Sequence, residues 1–247
     1  MIHGTTPAGA ADEQQASRWV RDMFGRIAPR YDFLNHLLSF NIDRTWRARL
    51  IRAVAPILEN PDARVLDLCC GTGDVMMRMA RNARARIYGS DFCHPMLTAA
   101  RTKAIRENGP PRLFEADGLV LPLADASLDL ITIAFGFRNF ASYRGGLDEL
   151  VRVLRPGGVA AILEFAPPPN TLFGRMHIFY SRTVLPTLGG LISGSREAYE
   201  YLPASVSKFP APRELADEMR TAGFAEVDYE LMTGGLVALH IARKHMR

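Results

Sequence analysis

Residues 64–73 read Arg64-Val65-Leu66-Asp67-Leu68-Cys69-Cys70-Gly71-Thr72-Gly73, and this stretch decides the fold. It starts as a short apolar run, the pattern of a buried strand. Gly71 and Gly73 then allow a tight turn in which backbone comes close to a ligand. Residues 74–84 have helical spacing, so the turn faces the free N–H groups and positive dipole end of a helix. A second strand is expected over 85–90, and Asp91 ends it, 20 positions after Gly71. An acid at that place can accept both hydroxyls of a ribose. A Gly-x-Gly pair alone is weak evidence; strand, turn, helix and acid in this order are much stronger.

Outward from this unit the chain alternates. A helix is expected over 94–106, with Pro95 suited to its first turn. Strands are expected over 112–116, 128–134 and 158–165, with a helix over 143–154. Repeated β-α-β units of this length predict an α/β fold, a parallel sheet covered by helices on both faces. The rhythm breaks after Pro167-Pro168-Pro169, and 167–210 reads as an insertion rich in Tyr and Phe. A helix over 213–222 and strands over 224–231 and 236–243 follow. The last two flank Thr233-Gly234-Gly235 and suggest an antiparallel pair. Upstream, 1–15 reads as a disordered tail and 16–60 as a helical cap, with 16–247 as one domain.

The chain has 247 residues, 48% apolar and 23% charged, with net charge +4. Only three of its 30 basic residues are Lys. No basic and aromatic residues cluster as a nucleic-acid binder would require, so nucleic acid is not an expected partner. Cys69, Cys70 and Cys93 offer neither metal spacing nor a disulfide framework; no metal is expected, and a reducing cytoplasm suits them. Neither a signal peptide nor an apolar run long enough to span a bilayer is visible. Segment 18–52 has eight Arg against three Asp. Such a face is usually solvated, but it can also rest on anionic lipid.

Two cofactors suit the turn. A dinucleotide fingerprint wants a third glycine where this chain has Met76, and Asp74 would repel a pyrophosphate. S-adenosylmethionine carries no phosphate, and its ammonium welcomes a carboxylate such as Asp67. Charge therefore favours the sulfonium compound. Asp117-Gly118 follows the third strand, where the acid can accept from an adenine amino group and the glycine N–H can donate to the ring. Each residue alone reads more simply as a turn former or helix cap. At successive strand ends, Asp67, Gly71, Thr72, Gly73, Asp91, Asp117 and Gly118 together point to a nucleoside cofactor.

With Leu154-Arg155-Pro156-Gly157-Gly158 added, these residues resemble the class I S-adenosylmethionine methyltransferases. The chain is more closely similar to the menaquinone/ubiquinone biosynthesis C-methyltransferase family. That likeness rests on Phe135-Gly136-Phe137-Arg138-Asn139, Leu163-Glu164-Phe165, Tyr180 to Pro186, Tyr199 to Ser205 and Thr233-Gly234-Gly235. It implies a Rossmann-like fold with a mostly parallel seven-stranded sheet, the helical cap and the insertion. It also implies methyl transfer to a demethylmenaquinol or a demethylated ubiquinol precursor. Thr72, Asp91 and Asp117-Gly118 would contact the cofactor; Ala134 stands where some members use Ser. Arg138 is implied to be a catalytic participant.

From the chemistry, methylation of a quinol carbon needs a phenolate that pushes electrons onto the ring. Arg138 can stabilise such an oxygen and Asn139 can hydrogen-bond it. His177, Tyr180, Tyr199, Tyr201 and His240 are weaker candidates, being of a kind more often found in cores. Phe173, Met176, Ile178, Phe179, Val184 and Leu185 could line a channel for a prenyl tail, or could simply pack on the sheet. The expected partners are a prenylated quinol and a peripheral membrane surface, with self-association left open. Rival readings are a methyltransferase of a small soluble phenol, sterol or amine, an NAD-dependent dehydrogenase, and a binding module without turnover.

Overall fold

The computed structural model describes residues 4, 5, 7, 10–28, 39–107, 112–184 and 196–246. Seven strands form one sheet, β1 (Arg64–Leu68), β2 (Arg86–Asp91), β3 (Leu113–Glu115), β4 (Leu128–Ala134), β5 (Leu154–Phe165), β6 (Phe224–Met232) and β7 (Val237–Lys244). Their order is β3-β2-β1-β4-β5-β7-β6. The first five run parallel; β7 is antiparallel to both β5 and β6. The order reverses between β1 and β4, where open α/β sheets bind ligands beyond the carboxyl ends of the strands.

The helices are α1 (Glu13–Ile27), α2 (Asp43–Leu58), α3 (Asp74–Ala80), α4 (His94–Arg106), α5 (Tyr143–Val153), α6 (Leu172–Phe179), α7 (Arg196–Lys208) and α8 (Pro212–Ala222). Strand periodicity sends alternate residues to opposite cores. Ala160 and Ile162 of β5 pack with Leu147, Leu150, Leu215 and Met219 on one face. Val159, Ala161 and Leu163 pack with Trp46, Leu50, Val54 and Met79 on the other. Each such Leu contributes roughly 1.5–3 kcal/mol by leaving water. A third cluster joins Val20, Met23 and Ile27 of α1 to Cys93, Met96 and Tyr201.

Several boundaries differ from expectation. The helix expected over 74–84 stops at Ala80, because Arg84 and Ala85 donate their N–H groups to Leu58 O at the end of α2. Strand β5 starts at Leu154 rather than 158. Leu154 already pairs with Leu128, and the Arg-Pro-Gly-Gly block lies within a register shift. Helix α1 starts inside the expected tail, capped by Asp12, whose side chain accepts from Gln15 N. Thr5 is buried too, its N–H donating to Phe140 O at 2.7 Å. The basic 18–52 segment is not one solvated face, since Arg47 is buried and paired with Asp43. All three cysteines are free. Among the described residues no helix is long and apolar enough to cross a membrane.

Candidate functional site

An open cleft lies at the tips of β1 to β4. Of the residues singled out from sequence for the site, Gly71, Asp91, Asp117, Gly118 and Asn139 line it, and so does Ala134. Asp67, Thr72, Gly73 and Arg138 do not.

The β1–α3 turn brings the cleft floor together. Gly73 takes φ 87° and caps α3, a left-handed conformation that favours glycine. Cys69 and Phe135, at the tips of β1 and β4, adopt φ 56° and 62°. For residues with a Cβ this costs roughly 1–3 kcal/mol each, a kind of strain that collects at functional sites. Between them, Gly136 lies so close to Cys69 that a Cβ would overlap the cysteine's own.

Asp91 fastens this floor. Its Oδ2 accepts from Gly71 N and its Oδ1 from Cys93 N, both at 2.9 Å. Burial pushes its carboxyl up to about 6, although those backbone N–H groups oppose the shift. The Phe92 N–H bonds the same carboxylate, and the acceptor capacity that these three backbone groups leave is open to the ligand. Asp117 Oδ1 accepts from Leu119 N at 2.9 Å, so one oxygen serves the turn and the other remains available.

Asp67 is placed differently from the sequence reading. It is 2% exposed, with Oδ1 accepting from the Thr132 hydroxyl at 2.7 Å and Oδ2 from Met76 N at 3.0 Å. Burial pushes its carboxyl up to about 7. It clamps β1 to β4 and to the first turn of α3, beneath the surface that a ligand ammonium would touch. Asp74 also departs from expectation, since Lys103 and Arg47 both pair with it. Its charge is thus largely answered and carries less of the argument against a pyrophosphate. The cleft wall carries that argument better. Asp91 and Asp117 line it, and among the described residues no Lys or Arg does. An anionic dinucleotide finds no cation there, whereas a sulfonium cofactor with ribose and ammonium groups fits two acids. Among the described residues no group of His, Cys, Asp and Glu could hold a metal ion.

Across the cleft, the 3-10 turn Phe137–Asn139 follows β4. Arg138 is 5% exposed and turns away from the cleft. Its Nη1 donates to Glu164 Oε1 at 2.9 Å and to Phe135 O. Its guanidinium lies 5.6 Å from the centre of the Phe165 ring. Glu164 Oε2 also accepts the Arg138 backbone N–H at 3.2 Å. The pair therefore holds the turn from behind. The sequence reading assigned Glu164 no role; the available signal was one carboxylate inside an otherwise apolar strand.

Trp46, Phe135 and Phe165 form an aromatic group beside the cleft, with ring centres 4.8–6.0 Å apart. The Trp46 indole N–H donates to the Thr233 hydroxyl at 2.8 Å, tying the β6–β7 turn to α2. Ser17 and Phe24 of α1 line the cleft, a role that sequence did not assign them; the helical face that buries Val20 and Met23 was the available signal. His240 is buried against Pro212 O, is pushed down to about 4 by burial, and is not among the residues that line the cleft. Of the channel residues, Met176 and Phe179 are 63% and 65% exposed. Ile178 is half-buried, and Tyr180 opens the π-helical turn Tyr180–Val184 that follows α6. The side chains of Phe173, His177, Val184 and Tyr199, and all of Leu185, lie outside the described residues.

The family model described as the ubiE/COQ5 methyltransferase family matches residues 10–244. A demethylmenaquinone methyltransferase of Thermus thermophilus is 52% identical, over 89% of this chain and 98% of its own. A ubiquinone/menaquinone biosynthesis C-methyltransferase of Syntrophotalea carbinolica is 45% identical, over 89% and 92%. In fold, the chain is similar to a solved S-adenosylmethionine-dependent methyltransferase of Thermotoga maritima. The TM-score is 0.61 at 19% identity, over 90% of this chain and 99% of that one.

Proposed function

The chain belongs to the ubiE/COQ5 methyltransferase family, and on that premise we propose that it methylates a ring carbon of a demethylmenaquinol. It is an S-adenosylmethionine-dependent C-methyltransferase of quinone biosynthesis. The observation that carries the reading is the cleft lined by Asp91 and Asp117, with no Lys or Arg among the described residues on its wall, and with Asn139 on the opposite side.

When bound, the cofactor supplies an electrophilic methyl carbon. Asp91 would receive the ribose hydroxyls on the acceptor capacity that its backbone partners leave open, and Asp117 with Gly118 would receive the adenine edge. Gly71, Thr72 and Gly73 shape the turn, and Asp67 braces it from below. Asn139 donates to the reacting ring oxygen and favours its phenolate, the hydroxyl proton passing to water. Electron density rises on the adjacent carbon, which takes the methyl group as its bond to sulfur breaks. That carbon then loses its own proton to water to restore the aromatic ring. Arg138 acts as a positioning residue, keeping Asn139 in place through its pair with Glu164. Phe135 and its aromatic neighbours exclude water and orient the ring. Helix α1 and the described parts of the insertion, α6 and α7, cover the bound quinol.

A prenylated substrate resides in lipid, so the proposal extends to an anionic membrane surface. Leu172, Met176 and Phe179 lie at i, i+4 and i+7 on α6, each at least 63% exposed. Phe40 is exposed as well, its ring 6.2 Å from that of Tyr180 just after α6. Arg44 and Arg175 are exposed near these apolar side chains in the chain. An apolar stripe with basic flanks matches a helix that rests on lipid. Protein that stays in the soluble fraction during flotation with anionic vesicles would remove this extension.

Radiolabelled methyl transfer to reduced and oxidised demethylmenaquinone tests the main reading. Labelling of the reduced form alone is expected, and equal labelling of the oxidised form refutes the phenolate-driven step.

A further inference from the structure

We infer that Thr5, Tyr201 and Asn139 form a one-way relay of hydrogen bonds that sets which end of the Asn139 amide faces the cleft. Thr5 and Tyr201 thereby become positioning residues for methyl transfer. The inference rests on the reading that Asn139 meets the substrate oxygen.

An asparagine amide has a donor end and an acceptor end, and a flip exchanges them. Only the donor end can stabilise a phenolate. Tyr201 on α7 lies with its hydroxyl 3.0 Å from Asn139 Oδ1, in donating geometry. The Thr5 hydroxyl lies 2.8 Å from the same Tyr201 oxygen. A phenol has one proton. Once Tyr201 gives it to Asn139 Oδ1, the remaining bond must run from the Thr5 hydroxyl to the Tyr201 oxygen. The chain then points one way, from Thr5 through Tyr201 to Asn139, and leaves the amide NH₂ for the cleft. Burial holds the Tyr201 phenol above its ordinary range, so it remains a donor across physiological pH. Bonds aligned in this manner polarise one another in a buried site.

The supports of the relay come from remote parts of the chain. The Thr5 N–H donates to Phe140 O at 2.7 Å, and Phe140 and Ala141 line the cleft on their other side. Any Cβ at Gly4 would overlap the Ala141 carbonyl, so the N-terminal strap lies directly against that wall. Trp19 of α1 packs its ring 5.0 Å from that of Tyr201. Thr5 lies outside the 10–244 stretch that the family model matches, so family membership does not assign it this role.

The test uses the full chain with Thr5→Val, Thr5→Ser, Tyr201→Phe, Asn139→Ala and the Tyr201→Phe/Asn139→Ala double variant. Both Thr5→Val and Tyr201→Phe nearly preserve volume, and melting temperature checks that each folds. With reduced demethylmenaquinone and S-adenosylmethionine, Thr5→Val and Tyr201→Phe are expected to lower kcat roughly three- to tenfold, the value of one neutral hydrogen bond. Affinity for S-adenosylhomocysteine, measured by calorimetry, should stay within twofold of the parent, and Thr5→Ser should restore the rate (about one hydroxyl's worth). In the Asn139→Ala background, Tyr201→Phe should have no further effect. An unchanged kcat in Tyr201→Phe, or an effect that multiplies with Asn139→Ala, overturns the relay while leaving Asn139 at the substrate. A fully active Asn139→Ala enzyme overturns the reading beneath it.

Discussion

On the β1–β3 side of the cleft, Asp91 and Asp117 take their hydrogen bonds from Gly71, Cys93 and Leu119, all within 20 positions in the chain. On the β4–β5 side, Asn139 depends on Tyr201, 62 positions away, and Tyr201 on Thr5, a further 196 positions off. Glu164 reaches back 26 positions to Arg138. The first wall is assembled from short backbone turns that exist wherever the strand-turn-helix units form. The second exists only when the strap, the insertion and the β4 turn have packed together. Damage to the first should therefore appear as lost ligand affinity, and damage to the second as lost stability or turnover.

Glu164→Ala offers the hardest test. It leaves a buried guanidinium without its carboxylate, a lesion that typically costs about 3–5 kcal/mol. The melting temperature should fall by roughly 10 °C for a chain of this size. A fall of only a degree or two would show that the second wall does not depend on this buried pair.

Next comes Asp91→Ala, which removes the acceptor for two ribose hydroxyls. Bonds to a charged group contribute roughly 1.5–3 kcal/mol each, so affinity for S-adenosylhomocysteine should drop about 100-fold or more by calorimetry. Stability should also fall, because the Gly71 and Cys93 N–H groups lose their acceptor, but by less than in Glu164→Ala. If affinity survives, the first wall binds by some other group.

Asp67→Asn separates a bracing acid from a ligand-binding one. Because burial raises the folded carboxyl to about 7, the native protein holds a proton there that the unfolded chain releases above its ordinary pKa. The associated stability is full below the unfolded pKa and is lost as pH rises through about 7. The amide carries no charge to bury. The variant should therefore gain on the parent at pH 8 by about 1–2 kcal/mol and less at pH 5, in chemical denaturation. Its affinity for S-adenosylhomocysteine should match the parent's. A tenfold loss would put Asp67 back against the ammonium.

The smallest effect belongs to Thr233→Val, which strips the Trp46 indole of its acceptor at nearly constant volume. A loss of about 1 kcal/mol is expected, with cofactor affinity unchanged. A larger loss of affinity would mean that the β6–β7 turn reaches the first wall, blurring the contrast.

The sequence by itself determined the α/β architecture, the antiparallel last pair of strands and the acids at the strand tips. Strand and helix periods, glycine turns and strand-end acids are local properties, each readable within one or two elements. Periodicity was weaker at boundaries, where a carbonyl from α2 ends α3 and a register shift draws Leu154 into β5. Tertiary structure alone decided which charges face the cleft. Asp67, Asp74 and Arg138 look alike on paper as polar residues near glycines, and Arg47 as one more basic residue of a helix, yet each is consumed by a partner inside the fold. Thr5 in an expected tail and Tyr201 among apparent core aromatics gave no local sign of meeting Asn139. Their meeting comes from long-range packing, because a hydrogen bond between remote segments forms only after the intervening layers have closed around it.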